Sequence, residues 1–246
     1  MHQLKRHPLP VSAHFDSTLV LAYAVPQELL KPLLSPGVEL DTFGEFGFVA
    51  VAMVQTRALR PAFLPPMFGQ SFFLSGYRIF TRFTTQQGRH LRGLQILRSD
   101  TDKALMRIAG NLLTHYNYRL AKVHLESAPQ TLRIEVQTPR RAADLKVVAH
   151  LDETGVLPDG SPFPDIETAR KFAGPLPYTF DYERQTGSMI LIKGVRKAWE
   201  PTPVRVEVER ATFFERFDGQ ARLANAFYLS DVPYRWDAGR VEKLAS

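Results

Sequence analysis

A chain of 246 residues suits one large all-β or α+β domain, or two small ones, and its ordinary apolar content can bury a sizeable core. It contains no cysteine, which excludes disulfides, thiolate catalysis and cysteine-based zinc sites and fits a reducing, cytoplasmic setting. The formal charge of +6 comes from scattered basic residues with no run of five or six like charges, so it reads as a solvated basic surface rather than a nucleic-acid-binding tail.

The N-terminal stretch MHQLKRHPLPVSAHFD lacks the apolar centre of a secretory signal. Apolar runs such as residues 48–54 and 189–192 fall far short of the ~20 residues that a membrane helix needs. The expectation is a soluble cytoplasmic protein that engages neither membrane nor nucleic acid.

In chain order, residues 18–25 are apolar and end at a proline, which reads as a strand. Residues 26–34 open on Pro26, and proline is favoured in a first helical turn, so a short helix is expected there. Residues 47–56, rich in Val and Ala, read as a strand. Residues 71–85 and 91–97 follow as a pair across Gln86-Gln87-Gly88-Arg89, a hairpin turn. A helix over 101–113 would place Leu105, Met106, Ala109 and Leu112 on one face, behind a Ser99/Asp100 capping region.

Residues 119–126 and 131–138 form a further pair across 127–130. In residues 154–164, Pro158-Asp159-Gly160 signals a turn, because proline fixes φ and glycine tolerates φ > 0, so this stretch reads as a surface loop. A third short helix is expected over 165–173, stopped by Gly174. Strands 178–183 and 189–195 flank Thr186-Gly187. Residues 204–217 alternate, with Val204, Val206 and Val208 on one face and Arg205, Glu207 and Glu209 on the other. Residues 221–229 close the set across Asp218-Gly219. Many short strands joined by hairpins predict a mainly β (α+β) chain: an antiparallel sheet system, stacked or closed on itself, forming a single domain over 1–246. A barrel removes exposed edges, and its mouth is a common ligand site.

The segment GNLLTHYNYRLAKV (110–123) resembles, without a gap, the segment that carries the catalytic lysine of acetoacetate decarboxylases. The two adjacent lysines of that family fall here on Tyr118 and Arg119. Four phrases in order, VPQELLKPLLSPGVELDTF (25–43), FVAVAMVQTRALRP (48–61), SFFLSGYRIFTRF (71–83) and HYNYRLAKV (115–123), resemble the YqjF-like family of unknown function, which is allied to the decarboxylases. That sister family usually carries Tyr-Tyr-Arg in the last phrase. LSDVPYRWDAGRVE (229–242) is similar to the C-terminal turn of the decarboxylases, whereas 140–187 matches weakly. The resemblance implies an acetoacetate decarboxylase-like fold, a strongly curved antiparallel sheet wrapping a central pocket, with a few short peripheral helices.

The same resemblance implies lost chemistry. The decarboxylases form an imine between a neutral lysine amine and a ketone. Tyr118 cannot form one, and Arg119 stays protonated. The family's substrate-side arginine aligns with Asp16 and one of its acidic residues with Val49, and no Asp or Glu lies between Glu45 and Asp100 to supply the other. Acetoacetate decarboxylation is therefore not expected, and neither a cofactor nor a metal is.

The candidate pocket residues are Tyr118, Arg119, Arg78, Tyr116 and His115. A phenol and a guanidinium suit a carboxylate or enolate, the guanidinium as a planar fork of donors. Neighbours on a strand face opposite ways, so only one of Tyr118 and Arg119 need enter the pocket. Arg78 reads either as the pocket's cation or as part of a solvated face, with Arg82 on the same side four residues on. His115 and His124 are acid–base candidates or structural histidines. Lys103, Lys122 and Lys193 are candidates for a relocated imine lysine, against ordinary surface lysines. The pairs Trp199/Glu200 and Tyr234/Trp236 either line a ligand mouth or pack as satellite clusters. Three functions stay open: a binder of a small keto acid-like anion, an imine-free enzyme on a small carboxylate with Tyr118 as proton donor, and a basic interaction protein with a vestigial pocket. A homo-oligomer is compatible with each.

Overall fold

The computed structural model describes residues 2–173, 176–196 and 199–244. Its strands are β1 (Val11–Pro26), β2 (Val38–Leu40), β3 (Phe46–Pro61), β4 (Gln70–Thr84), β5 (His90–Thr101), β6 (Tyr118–Leu120), β7 (Lys122–Ser127), β8 (Thr131–Gln137), β9 (Leu145–Thr154), β10 (Tyr178–Glu183), β11 (Ser188–Val195), β12 (Thr202–Ala211), β13 (Arg222–Trp236) and β14 (Arg240–Lys243). The helices are α1 (Gln27–Leu30), α2 (Ala104–Leu113) and α3 (Ile166–Ala173), with short 3-10 turns between strands.

The neighbours β11-β10-β5-β4-β3-β1-β13 are hydrogen-bonded in that order. Gly194 and Val195 of β11 pair with Trp236 and Arg235 of β13, so this run of strands closes on itself as a barrel. From β13 the sheet continues through β12, β9, β8 and β7, which fold back over the barrel's outer wall. The pairing is antiparallel apart from β10 and β6, each of which runs parallel to β5.

Two packed layers explain why β1 and β3 read as continuous apolar runs. Leu19, Leu21, Val49, Val51, Tyr77 and Ile79 point outward and pack under Leu132, Ile134, Leu145, Val147 and Val204 of the overlying strands. Val20, Ala22, Ala50, Ala52, Val54 and Phe80 point inward. A strand buried on both faces loses the usual polar alternation. Inside the barrel, Phe48, Phe80, Phe163 and Phe172 pack at one end, with ring centroids 5.0–6.3 Å apart. Burial of each such side chain contributes about 1.5–3 kcal/mol.

Several expectations are corrected. Strands β1, β3, β5 and β13 run longer than their apolar stretches, and β9, β2 and β14 were not anticipated. The strand expected over 204–217 ends at Ala211. Residues Thr212–Phe217 form a 3-10 turn, in which Thr212 bridges Asp144 and Arg141 and puts Phe213, Phe214 and Phe217 into the outer core. Ser99 and Asp100 belong to β5 rather than to a cap, and Asp100 forms a buried bidentate pair with Arg98 at 2.6 and 2.8 Å. The buried residues of α2 are Met106 and Gly110, whereas Leu105 and Leu112 are exposed. The helix is turned so that glycine, not leucine, meets the neighbouring strand. The helix over residues 26–34 is one α-turn, α1, followed by a 3-10 turn. Asp165 caps α3 through the Thr168 amide, while the stop expected at Gly174 lies outside the described residues. The loop over 154–164 is not wholly at the surface, because Phe163 is buried in the barrel. Among the described residues no helix is long and apolar enough to cross a membrane.

Candidate functional site

The barrel encloses a cavity of about 310 Å³. Every strand of the closed run except β11, together with β6, α2, the segment before β1, Ala173 of α3, residues 176–177, Arg196 and Trp199, contributes to its wall. The room comes from small inward side chains on the central strand: Ala50 and Ala52 face the cavity, while their outward neighbours Val49, Val51 and Met53 are larger. Most of the lining is apolar, including Phe72, Leu74, Phe80, Met106 and Phe227. Its charged members are Arg60, Arg78 and Arg196, and no described Asp, Glu or Lys is among them.

Arg78 lies on β4 opposite Ala50 of β3. The β4–β5 register slips between Tyr77 and Arg78, leaving Leu97 unmatched. A bulge of this kind re-aims side chains. Tyr77 points outward and stacks on Phe213 at 4.0 Å, and Arg78 points into the cavity. The side chain folds back over Gly76, where a Cβ would stand 3.1 Å from Nη2 and 3.2 Å from Nε. Among the described residues no carboxylate comes within ion-pair distance, and the buried Nε has no hydrogen-bond acceptor. Burial lowers the Arg78 pKa, against the opposing influence of Tyr234, Tyr118 and Tyr116. Arginine nevertheless keeps its charge.

Tyr118 lines the cavity, and its strand neighbour Arg119 is exposed and outside the lining. Two features of the preceding helix seat Tyr118. Asn111 clamps its backbone, accepting from the Tyr118 amide at 2.8 Å and donating to its carbonyl at 2.9 Å. Gly110 leaves space that a Cβ would contest with the phenol ring. Asn117, at φ 54°, takes the left-handed turn between Tyr116 and Tyr118, which asparagine tolerates, and both rings line the cavity. Burial pushes the Tyr118 phenol up to about 12, with Arg78 pulling the other way. It also raises the Tyr116 phenol well above its usual value. Both are proton-bearing donors at neutral pH.

A second cluster faces the same space. Arg196 lies over the Trp199 ring at 4.3 Å, and its Nη1 donates to the Tyr234 hydroxyl at 3.3 Å. Tyr234 stacks on Phe15 at 4.8 Å and occupies room left by Gly194, where a Cβ would overlap its hydroxyl. The guanidinium of Arg60 is satisfied by the carbonyls of Ala58 and Leu64, both at 2.8 Å. His7 also lines the cavity, with a left-handed backbone at φ 53° tied to Leu113 and Gly239. Its buried Nδ1 has no hydrogen-bond partner, and burial lowers its pKa, partly offset by backbone hydrogen bonding at His7, by nearby Asp181 and by the Leu9 backbone.

Other candidates lie elsewhere. His115 is turned to Asp181, with Nδ1 at 2.9 Å from Oδ2, and is not part of the lining. Arg82 pairs with buried Asp41 at 2.6 Å. His124 is exposed beside Glu126. Lys103, Lys122 and Lys193 are exposed, and none lines the cavity. Asp16 pairs with Arg57 at 2.8 Å away from the cavity, and Val49 faces the outer core. Trp199, Tyr234 and Trp236 do line the cavity, whereas Glu200 lies on a separate groove of about 570 Å³ that has Asp231 and no cation among the described residues. Arg60, Arg196 and His7 carried no local signal, because pairing between segments separated in sequence brings them to the cavity.

The family model for uncharacterized conserved proteins called DUF2071 matches residues 12–233. The chain belongs to this family. No curated protein matches it. Among solved structures, it is similar to an acetoacetate decarboxylase from Legionella pneumophila, with TM-score 0.63, 14% identity and coverage of 97% of this chain and 90% of that one. It is likewise similar to an acetoacetate decarboxylase-like enzyme from Sphingomonas wittichii RW1, with TM-score 0.61, 12% identity and coverage of 98% and 94%. The enduracididine biosynthesis enzyme MppR, complexed with pyruvate, matches with TM-score 0.57, 10% identity and coverage of 97% and 92%. This DUF2071 member therefore has an acetoacetate decarboxylase-like fold.

Proposed function

We propose that the barrel cavity binds an organic carboxylate, keto acid-like in its polar end, and forms no imine with it. One observation carries this reading: three arginines and no described carboxylate line a mostly apolar cavity, and the Arg78 Nε has no acceptor. A desolvated charge without a partner costs several kcal/mol, which a bound anion would offset. Tyr116 and Tyr118 add two phenol donors beside the same guanidinium. The pyruvate complex of MppR, a protein of similar fold, is compatible with a keto acid here. Thermal melts with pyruvate, acetoacetate and longer 2-oxo acids test the reading. Stabilisation of the wild type that is lost in Arg78→Gln is expected, and no stabilisation by any of them would count against it. Borohydride with acetoacetate should leave the protein mass unchanged, and a reduced adduct would overturn the imine-free part.

A second reading, an imine-free enzyme, is favoured by His7. A neutral imidazole with an unpartnered buried Nδ1, lining the same cavity as protonated phenols, suits removal of a proton from the carbon next to a ketone. The proton would pass to Nδ1, and the electron pair to an enolate oxygen held by the phenols and Arg78. Exchange of those protons with deuterium oxide, followed by NMR and lost in His7→Ala, is expected. Absence of exchange in a protein that binds the keto acid would remove this reading and leave the binding one.

A further inference from the structure

We infer that the ligand is a monocarboxylate with an extended apolar body, of about ten non-hydrogen atoms, rather than a keto acid of the size of pyruvate or acetoacetate. This rests on the carboxylate reading above and adds the ligand's class. The first ground is size: 310 Å³ corresponds to about ten water-sized volumes at ~30 Å³ each. A six- or seven-atom acid would leave roughly a third of that space unfilled.

The second ground is the distribution of polarity. Arg78, Tyr116 and Tyr118 supply donors for one head group. The rest of the wall is mostly apolar, with Val20, Val54, Phe80 and Phe227, and its other unpartnered side-chain donors, Thr18 Oγ1 and Trp199 Nε1, are neutral and offer no charge to a second carboxylate. Arg196 is already stacked on Trp199 and bonded to Tyr234, and Arg60 is held by two carbonyls. Arg78 is thus the guanidinium for which no hydrogen-bond partner is found among the described residues. The third ground is how the space is made. Ala52 stands between Val20 of β1 and Gly76 of β4, so two small residues adjoin at the cavity wall beside Arg78. A larger side chain at 52 would fill volume that an apolar body needs.

The test is a calorimetric titration of acetate, pyruvate, acetoacetate, butanoate, hexanoate, octanoate, decanoate and neutral octanamide into the wild type, Arg78→Gln and Ala52→Leu, with folding of each variant checked by circular dichroism. Affinity should rise about fourfold per methylene up to octanoate and level off or fall at decanoate. Arg78→Gln should weaken octanoate at least tenfold, and Ala52→Leu, which fills cavity volume, should shift the optimum to a shorter acid. If pyruvate or acetoacetate binds as tightly as octanoate and still depends on Arg78, the apolar-body inference fails and the carboxylate site stands. If octanamide binds as tightly as octanoate, or no carboxylate binds, the carboxylate reading fails and takes this inference with it.

Discussion

The Arg78 guanidinium lies against the bare backbone of Gly76, two residues earlier on the same strand, with Nη2 3.1 Å from where a Cβ would stand. Gly110 does the same for the Tyr118 ring, and Gly194 for the Tyr234 hydroxyl. Three glycines on three elements thus each make the room for one polar side chain of the cavity.

Gly76→Ala should move the guanidinium by a few tenths of an ångström without disturbing the strand. Carboxylate affinity should fall roughly three- to tenfold, as expected when a binding group is slightly misplaced. Stability should hold or rise by up to about 1 kcal/mol, because glycine is a poor strand residue. Titration and thermal melting of the same sample separate the two effects. A fall in stability with unchanged affinity would refute the cradle role.

Gly110→Ala tests the seating of Tyr118. In an exposed helix interior this change gains about 1 kcal/mol. Here the new methyl overlaps the Tyr118 ring, and overpacking of that kind costs roughly 1–3 kcal/mol. Urea unfolding should show net destabilisation, reduced in the double variant Gly110→Ala/Tyr118→Leu, since the two sites touch. Additive losses would mean that the ring is not the obstacle.

Tyr118 sets an alkaline dependence. Its pKa rises from an ordinary 10.0 to about 12, so between these values the unfolded chain has lost a proton that the folded chain retains. Stability contributed by this group is complete below pH 10 and is lost as pH rises towards 12, by up to roughly 2–3 kcal/mol. Unfolding free energies of the wild type should fall more steeply over that window than those of Tyr118→Phe. Equal slopes would contradict the buried, protonated phenol. Because Arg78 pulls this pKa down, Arg78→Met should raise it further, as seen by ultraviolet titration.

The strands of the barrel were legible where burial is strongest. Residues 18–25 and 47–56 are largely buried on both faces, so their sequences are apolar apart from Thr18, Gln55 and Thr56. Their ends were not, because polar residues such as Ser12, Arg57 and Arg60 continue the ladder without an apolar signal. The exposed face of α2 was misjudged because Leu105 and Leu112 are the larger residues, yet the close approach of Tyr118 selects Gly110 for the inner face. In TFFERF the aromatic content suggests a strand, whereas Thr212 side-chain bonding turns the chain. Tyr118, Tyr116 and Arg78 were reached through family likeness, and the cavity lining includes all three. Arg196 and His7 depend on the β11–β13 pairing and on contacts to residues more than 100 positions away, which no local pattern encodes.

The most direct test of the carboxylate site is a crystal structure of the wild type grown with octanoate. Density inside the barrel with its carboxylate within about 3 Å of the Arg78 guanidinium is the expected result. Octanoate bound only in the groove near Glu200 and Asp231, or bound in the barrel with its methyl end against Arg78, would contradict it.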